Sequence, residues 1–135
     1  MLPTIKRGER VLIDFTAYSV KTPKRWDVVA FEPPQQTNEI WVLRVAALPG
    51  ETVRFATNGI TINNVPLAPP LHVSNVSYVS LDNSALRFST RQVGDPYVVP
   101  PECFFLLGDN STNANDSRMW GAVPRSNILG RIRGK

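Results

Sequence analysis

Only one cysteine and one histidine occur among the 135 residues, and each scarcity removes a class of chemistry. A lone thiol forms no disulfide within the chain and makes a cysteine-based metal site untenable, so Cys103, followed by Phe-Phe-Leu-Leu, reads as a buried apolar thiol. His72, in Pro-Pro-Leu-His-Val, reads as a surface or turn residue; a Ser-His arrangement built on it is the weaker alternative. Long apolar runs are missing too. No window approaches the roughly 18 consecutive apolar residues of a spanning helix, and the uncharged stretch 55–81 is broken by Asn, Thr, Pro and Gly. The chain as given is therefore expected to be soluble. Its first residues lack the basic, apolar, small-residue order of a cleaved leader, which puts any membrane anchor upstream of Met1.

What is present is ordinary globular composition, 42% hydrophobic and 19% charged, enough for one domain over 1–135. The net charge of +4 gathers at Lys6, Arg7, Arg10, Lys21, Lys24 and Arg25 and in the tail at Arg125, Arg131, Arg133 and Lys135. Such a balance suits an anionic membrane face or nucleic acid, but no block of five like charges occurs, so solvated faces and ends are the plainer reading.

Twelve prolines, eight glycines and short β-branched runs point to a mostly β fold with tight turns and no helix beyond about three turns. Strands are expected at 10–15, 27–31, 40–47, 52–55, 60–62, 73–81 and 103–107. That count of about seven suits a small folded sheet or barrel. Asn58-Gly59 supplies the turn of the clearest hairpin. Residues 67–100, with Pro69-Pro70 and a long polar run, form a short peripheral or variable segment rather than a second domain.

Three segments carry chemistry by their order: MLPT at 1–4, RVAALPGE at 44–51 and GDNSTNANDSRMWG at 108–121. Together they resemble signal peptidase I, and the resemblance runs through nearly the whole chain. Between the first two, Arg10-Val-Leu-Ile and Pro23-Lys-Arg-Trp-Asp-Val-Val-Ala-Phe match the family's substrate-strand region and its Arg-Gly-Asp-Ile-Val-Val-Phe motif, with Trp26 in place of the glycine. MLPT or LPGE alone is a weak signal; in this order, with DSRxWG downstream, chance is a poor explanation. The resemblance implies a single folded β-sheet domain of signal-peptidase or LexA-like type.

The family is a serine endopeptidase whose nucleophile is activated by a neutral lysine, itself held by a second serine. The resemblance puts the nucleophile immediately before Met1, outside this chain. It puts the base at Leu43, which has no lone pair to accept a proton, and the base-supporting serine at Ala114. The two replacements are physically matched, because an apolar group in place of a buried amine needs no hydroxyl beside it. Leu43 and Ala114 are therefore expected to lie side by side, near Met1. Asp116 and Arg118 match the ion pair that braces the family loop, and Gly108-Asp109-Asn110 reads as turn residues. Asn110, Asn113 and Asn115 also sit where family turns sit, so neither metal nor cofactor is expected. Ser117 and Ser19 have no base at a family-supported spacing.

What survives without catalysis is a groove for an extended peptide. By motif position Met1, Ile5, Val11, Trp41 and Val42 would line its pockets, although each also reads as an ordinary core residue. The leading expectation is thus a catalytically silent homologue of an enzyme of protein secretion. Its partners would be signal-peptide-like segments or an active signal peptidase, with a membrane surface nearby and no nucleic acid. The family context is the outer face of the cytoplasmic membrane. The alternative is a working membrane-bound signal peptidase I with its serine and anchor upstream of Met1; Leu43 separates the two, because no upstream extension restores the base. A LexA-like, DNA-associated regulator is a third class, disfavoured because no helix-turn-helix pattern occurs.

Overall fold

The computed structural model describes residues 1–133 apart from 35, 37, 57, 58, 74, 75 and 80–94, and leaves out the side chain of His72. Ten strands lie among the described residues: β1 (Leu12–Asp14), β2 (Val28–Phe31), β3 (Trp41–Ala47), β4 (Thr52–Ala56), β5 (Gly59–Ile62), β6 (Val65–Pro66), β7 (Tyr97–Val98), β8 (Cys103–Leu107), β9 (Val123–Pro124) and β10 (Ile128–Arg133). Among the described residues the one α-helix, α1, is the single turn Ser117–Trp120. Mostly β architecture, as the turn-rich composition implies, is what the chain adopts.

The strands make two antiparallel sheets, one of six in the order β1-β10-β2-β3-β8-β9 and one of four in the order β6-β5-β4-β7. β3 and β8 read as almost unbroken apolar runs because both of their faces are covered. Phe105 and Leu107 of β8 and Ala46 and Ala47 of β3 join Val53, Phe55, Ile60 and Ile62 of the small sheet in one cluster. The alternate residues Phe104, Leu106, Leu43 and Val45 face a second cluster with Val29, Phe31, Tyr18, Val123 and Ile128. Strand alternation thus divides each central strand between two cores.

Two local expectations need correction. Among the described residues of 73–81 no strand forms. Leu71–Val73 is a 3-10 turn and 76–79 carries no ladder, while 74, 75, 80 and 81 lie outside the described residues. The reason is that side chains take the backbone groups a ladder would use: Ser111 Oγ accepts from Val79 N at 2.9 Å, and Arg118 Nη1 donates to Val79 O at 2.9 Å. The hairpin at β4–β5 is present, but Gly59 is already the first residue of β5, paired with Ala56. Its φ of 144° is a conformation open to glycine and strained for other residues. Asn58, its expected turn partner, lies outside the described residues.

From the described part of 67–100, Val73, Val76, Tyr78 and Val99 are buried in the first cluster, and β7 pairs with β4. Trp26 explains why the family motif carries glycine there: its φ is 75°, a left-handed value costly for a bulky residue. Its ring stacks on Tyr78 at 6.2 Å between centroids and packs on the first cluster, which offsets that strain.

Candidate functional site

β8 delivers the chain into the third motif at Gly108, against β3, where Leu43 and Arg44 point to opposite faces. On the Leu43 face the surroundings are apolar. A Cβ built on Gly108 would lie 2.5 Å from the Cβ of Ala114 and 3.4 Å from Cδ2 of Leu43, so the two side chains meet across this one glycine. Met1, Trp41 and Trp120 pack on the cluster that contains Leu43. The nearest ionisable group is Asp116, whose Oδ2 would be 3.7 Å from the same Cβ.

Asp116 is engaged by donors on both of its oxygens. Fully buried, it caps the first turn of α1 by accepting from Arg118 N at 3.1 Å, and it accepts from Gly108 N at 2.9 Å and from Arg118 Nε and Nη2 at 2.9 and 2.8 Å. Arg118, equally buried, spends its other donors on Ser111 Oγ, Ser111 O and Val79 O. Ser117 is buried as well, its Oγ accepting from Leu106 N at 2.9 Å, so it is a brace and not an exposed hydroxyl. Ser19 donates its backbone N–H to Thr16 O in the loop after β1. The expected Asp116–Arg118 pair thus forms, with both side chains at 0% exposure, and its role is to hold the loop.

Sequence reasoning missed a second pair on the other face of β3. Asp109, read as a turn residue, is 3% exposed and takes a two-pronged bond from Arg44: Nε to Oδ1 at 2.8 Å and Nη2 to Oδ2 at 2.6 Å. Tyr78 Oη donates to Oδ1 at 3.1 Å, the Thr4 hydroxyl bonds Oδ2, and Arg44 Nη1 reaches Trp26 O at 3.0 Å. Burial and the Asp109 charge beside it both drive the Tyr78 hydroxyl well above the ordinary phenol range. Burial works against the charge of Arg44, but the bond and the charge of Asp109 outweigh it and hold the guanidinium above its ordinary value. A signal was present: Arg44 is the single charge inside 41–47, and a buried arginine demands a carboxylate.

The five candidate peptide-contacting residues divide. Ile5 and Val11 line a cleft of about 180 Å³ with Val28 and Ile132. Val42 is half-buried and shares the Val28 face, because the register pairs Val28 with Arg44 and Ala30 with Val42. Met1 and Trp41 lie instead against the cluster on the opposite face. Between the faces runs a partly open edge: β3 pairs with β2 from Trp41 to Arg44, but its ladder to β8 begins only at Arg44. Among the described residues no group of three or more His, Cys, Asp or Glu side chains is placed to hold a metal ion, and no helix is long and apolar enough to cross a membrane.

A two-sheet β domain with a loop braced by Asp116 and Arg118 beside β3 is the framework of a known peptidase class. The family model for signal peptidase, peptidase S26, matches residues 1–134, and the chain belongs to that family. It is 36% identical to signal peptidase I of Leptolyngbya laminosa over 97% of this chain and 61% of that protein, and 32% identical to signal peptidase I V of Bacillus subtilis over 98% and 77%. A probable signal peptidase I-1 of Synechocystis is 32% identical, with 63% of its length covered. The chain thus spans about three fifths of the two cyanobacterial relatives. The crystal structure of a signal peptidase I from Enterococcus faecalis superposes with a TM-score of 0.57 at 27% identity, covering 82% of this chain and 97% of that one.

Proposed function

We propose that this chain is a catalytically silent signal peptidase I homologue that binds extended, signal-peptide-like segments. The observation that supports the reading is that Leu43 and Ala114, the residues the motif resemblance sets at the family's base and base-support positions, both border Gly108. A lysine can take a proton near neutral pH only where burial lowers its pKa, and that apolar setting persists here around a side chain with no lone pair. The nearest carboxylate already accepts four hydrogen bonds. Among the described residues the carboxylate nearest this place is tied to Arg118 and Gly108 rather than free to serve a serine hydroxyl.

Peptide binding needs none of those groups. The edge of β3 at Trp41–Leu43 that faces away from β2 suits addition of an extended strand through backbone bonds. Side chains of such a segment would alternate between the Val42 face and the Leu43 face. The Ile5–Val11 cleft, of about 180 Å³, is matched to small apolar side chains. An active signal peptidase is the other partner consistent with this reading, since its own extended segments offer the same backbone.

The test pairs binding with turnover. A fluorescent peptide ending in Ala-x-Ala should bind the chain, and Val42→Pro, which removes an edge donor, should weaken that binding. Mass spectrometry should find no cleavage from about pH 5 to about pH 10. Leu43→Lys with Ala114→Ser, in a chain extended by a serine ahead of Met1, should gain measurable cleavage. Turnover by the unmodified sequence would overturn the silent reading; absence of peptide binding would overturn the binding reading.

A further inference from the structure

Where β3 begins, Trp41 shares a slot of about 30 Å³ with Trp120, Pro33, Pro34, Gln36 and Asn115. The slot has no lining residue in common with the Ile5–Val11 cleft. Trp41 is also the first residue of the unpaired edge at 41–43, so a segment added along that edge passes beside the slot.

Both indoles are held by their ring nitrogens. Trp41 Nε1 donates to Glu39 Oε2 at 2.7 Å, and Trp120 Nε1 donates to Asn115 Oδ1 at 3.0 Å. An indole has one donor and no acceptor, so neither ring has a hydrogen bond left to offer an occupant. Trp120 is fixed further by Phe31, whose ring lies 6.0 Å away between centroids. Both tryptophans stay half-buried, which leaves the slot open to solvent.

Charge around the slot has one sign. None of the residues that line it is ionisable, and the exposed carboxylate of Glu39 sits at the edge of the Trp41 ring. The face of an indole is the negative side of its quadrupole. A cation therefore gains from the rings and from the carboxylate together, whereas a neutral occupant gains from neither charge and an anion is repelled. Size narrows the choice: a space of about 30 Å³ admits a head group close to water in size, such as an ammonium, and excludes an aromatic ring.

We infer that this slot takes the ammonium of a lysine carried by the bound segment, held against Trp41 and Trp120 beside Glu39. The inference rests on the peptide reading and narrows it to segments with a lysine next to the stretch that lies along 41–43. Proline, a common occupant of aromatic-lined grooves, would use the rings but leave the carboxylate unanswered.

A lysine scan tests it on the parent chain. A fluorescent, alanine-rich peptide ending in Ala-x-Ala carries one lysine at each position in turn, and anisotropy compares it with the same peptide bearing norleucine, glutamate or proline there. At one position lysine should bind roughly fivefold tighter than norleucine, with glutamate the weakest. Trp120→Leu should bring the lysine peptide down to the norleucine level, Trp120→Phe should keep part of the preference, and Glu39→Gln should reduce it together with its salt dependence. If Trp120→Leu fails to fold, the parent-chain series and Glu39→Gln, at an exposed residue, still decide. Norleucine peptides that bind as well as lysine peptides at every position would overturn the inference and leave the peptide reading standing; binding by none of the peptides would overturn both. Proline serving as well as lysine, or a lysine preference that survives in folded Trp120→Leu, would also overturn the inference.

Discussion

Two neighbouring regions beside β3 differ in kind. Around Gly108, Leu43 and Ala114 bring apolar carbons to one place, with Asp116 Oδ2 just beyond them. A few residues away, Asp116, Arg118, Ser111 and Ser117 form a buried network in which every polar side-chain atom has a partner among the described residues. The difference follows from what each group costs when left alone. An amine and its supporting hydroxyl can be replaced together by apolar groups at little expense, because nothing else depends on them. Asp116 and Arg118 cannot be shed so freely: each satisfies the other and several backbone groups, so losing one leaves a buried charge.

Breaking the polar region should have the largest effect. Arg118→Met leaves Asp116 buried without its counter-charge and should lower stability by about 3–5 kcal/mol in urea unfolding. A cost under about 1 kcal/mol would show that the brace is not structural.

Introducing charge into the apolar region should cost less. Leu43→Lys places an amine in the cluster and should destabilise by about 2–3 kcal/mol at neutral pH, because burial lowers the lysine pKa by roughly two units. With the folded pKa below the unfolded one, that loss is greatest at low pH and shrinks as pH rises toward about 10. Adding Ala114→Ser should recover part of it, through one hydrogen bond. An equal cost at about pH 6 and about pH 9, in denaturant titrations, would mean that the amine escapes to water and that the position is not enclosed.

The contact itself can be tested by overpacking. Gly108→Ala should cost about 1–3 kcal/mol, since its Cβ would collide with that of Ala114. Ala114→Gly in the same chain should recover most of that cost, a coupling that thermal melts of the four-member cycle would measure.

The smallest effect falls on the second polar pair. Tyr78→Phe removes one bond to Asp109 and should cost about 1 kcal/mol at neutral pH. The raised pKa of Tyr78 also predicts a pH effect: the unfolded phenol ionises near about 10 while the folded one stays protonated, so stability present below that pH is lost above it. Tyr18, raised by burial and by Asp27, acts in the same direction. The Phe variant should therefore show a shallower alkaline decline than the parent.

Much of this was legible from residues. The strands at 27–31, 40–47, 52–55 and 103–107 announced themselves by β-branched runs between turn residues, and Asp116–Arg118 by its motif. The 73–81 stretch looked the same, yet Val73, Val76 and Tyr78 pack singly into the first cluster while side chains from the third motif take the backbone bonds of Val79. Asp109 passed for a turn residue because its partner, Arg44, is remote in sequence.

Local chemistry settled what could be read without coordinates. Alternation, turn residues and motif order are short-range or ordinal, so the chain alone determined a mostly β fold, its family resemblance and the apolar identity of the residues at 43 and 114. Tertiary structure decided which residues become neighbours. The contact across Gly108, the Arg44–Asp109 pair, the separation of Ile5 and Val11 from Met1 and Trp41, and the slot that Trp41 shares with Trp120 all depend on strand order and register. A register shift of one residue would reverse every facing in a strand, and only the packed sheets choose among registers, because burial is a property of the whole core and not of any segment.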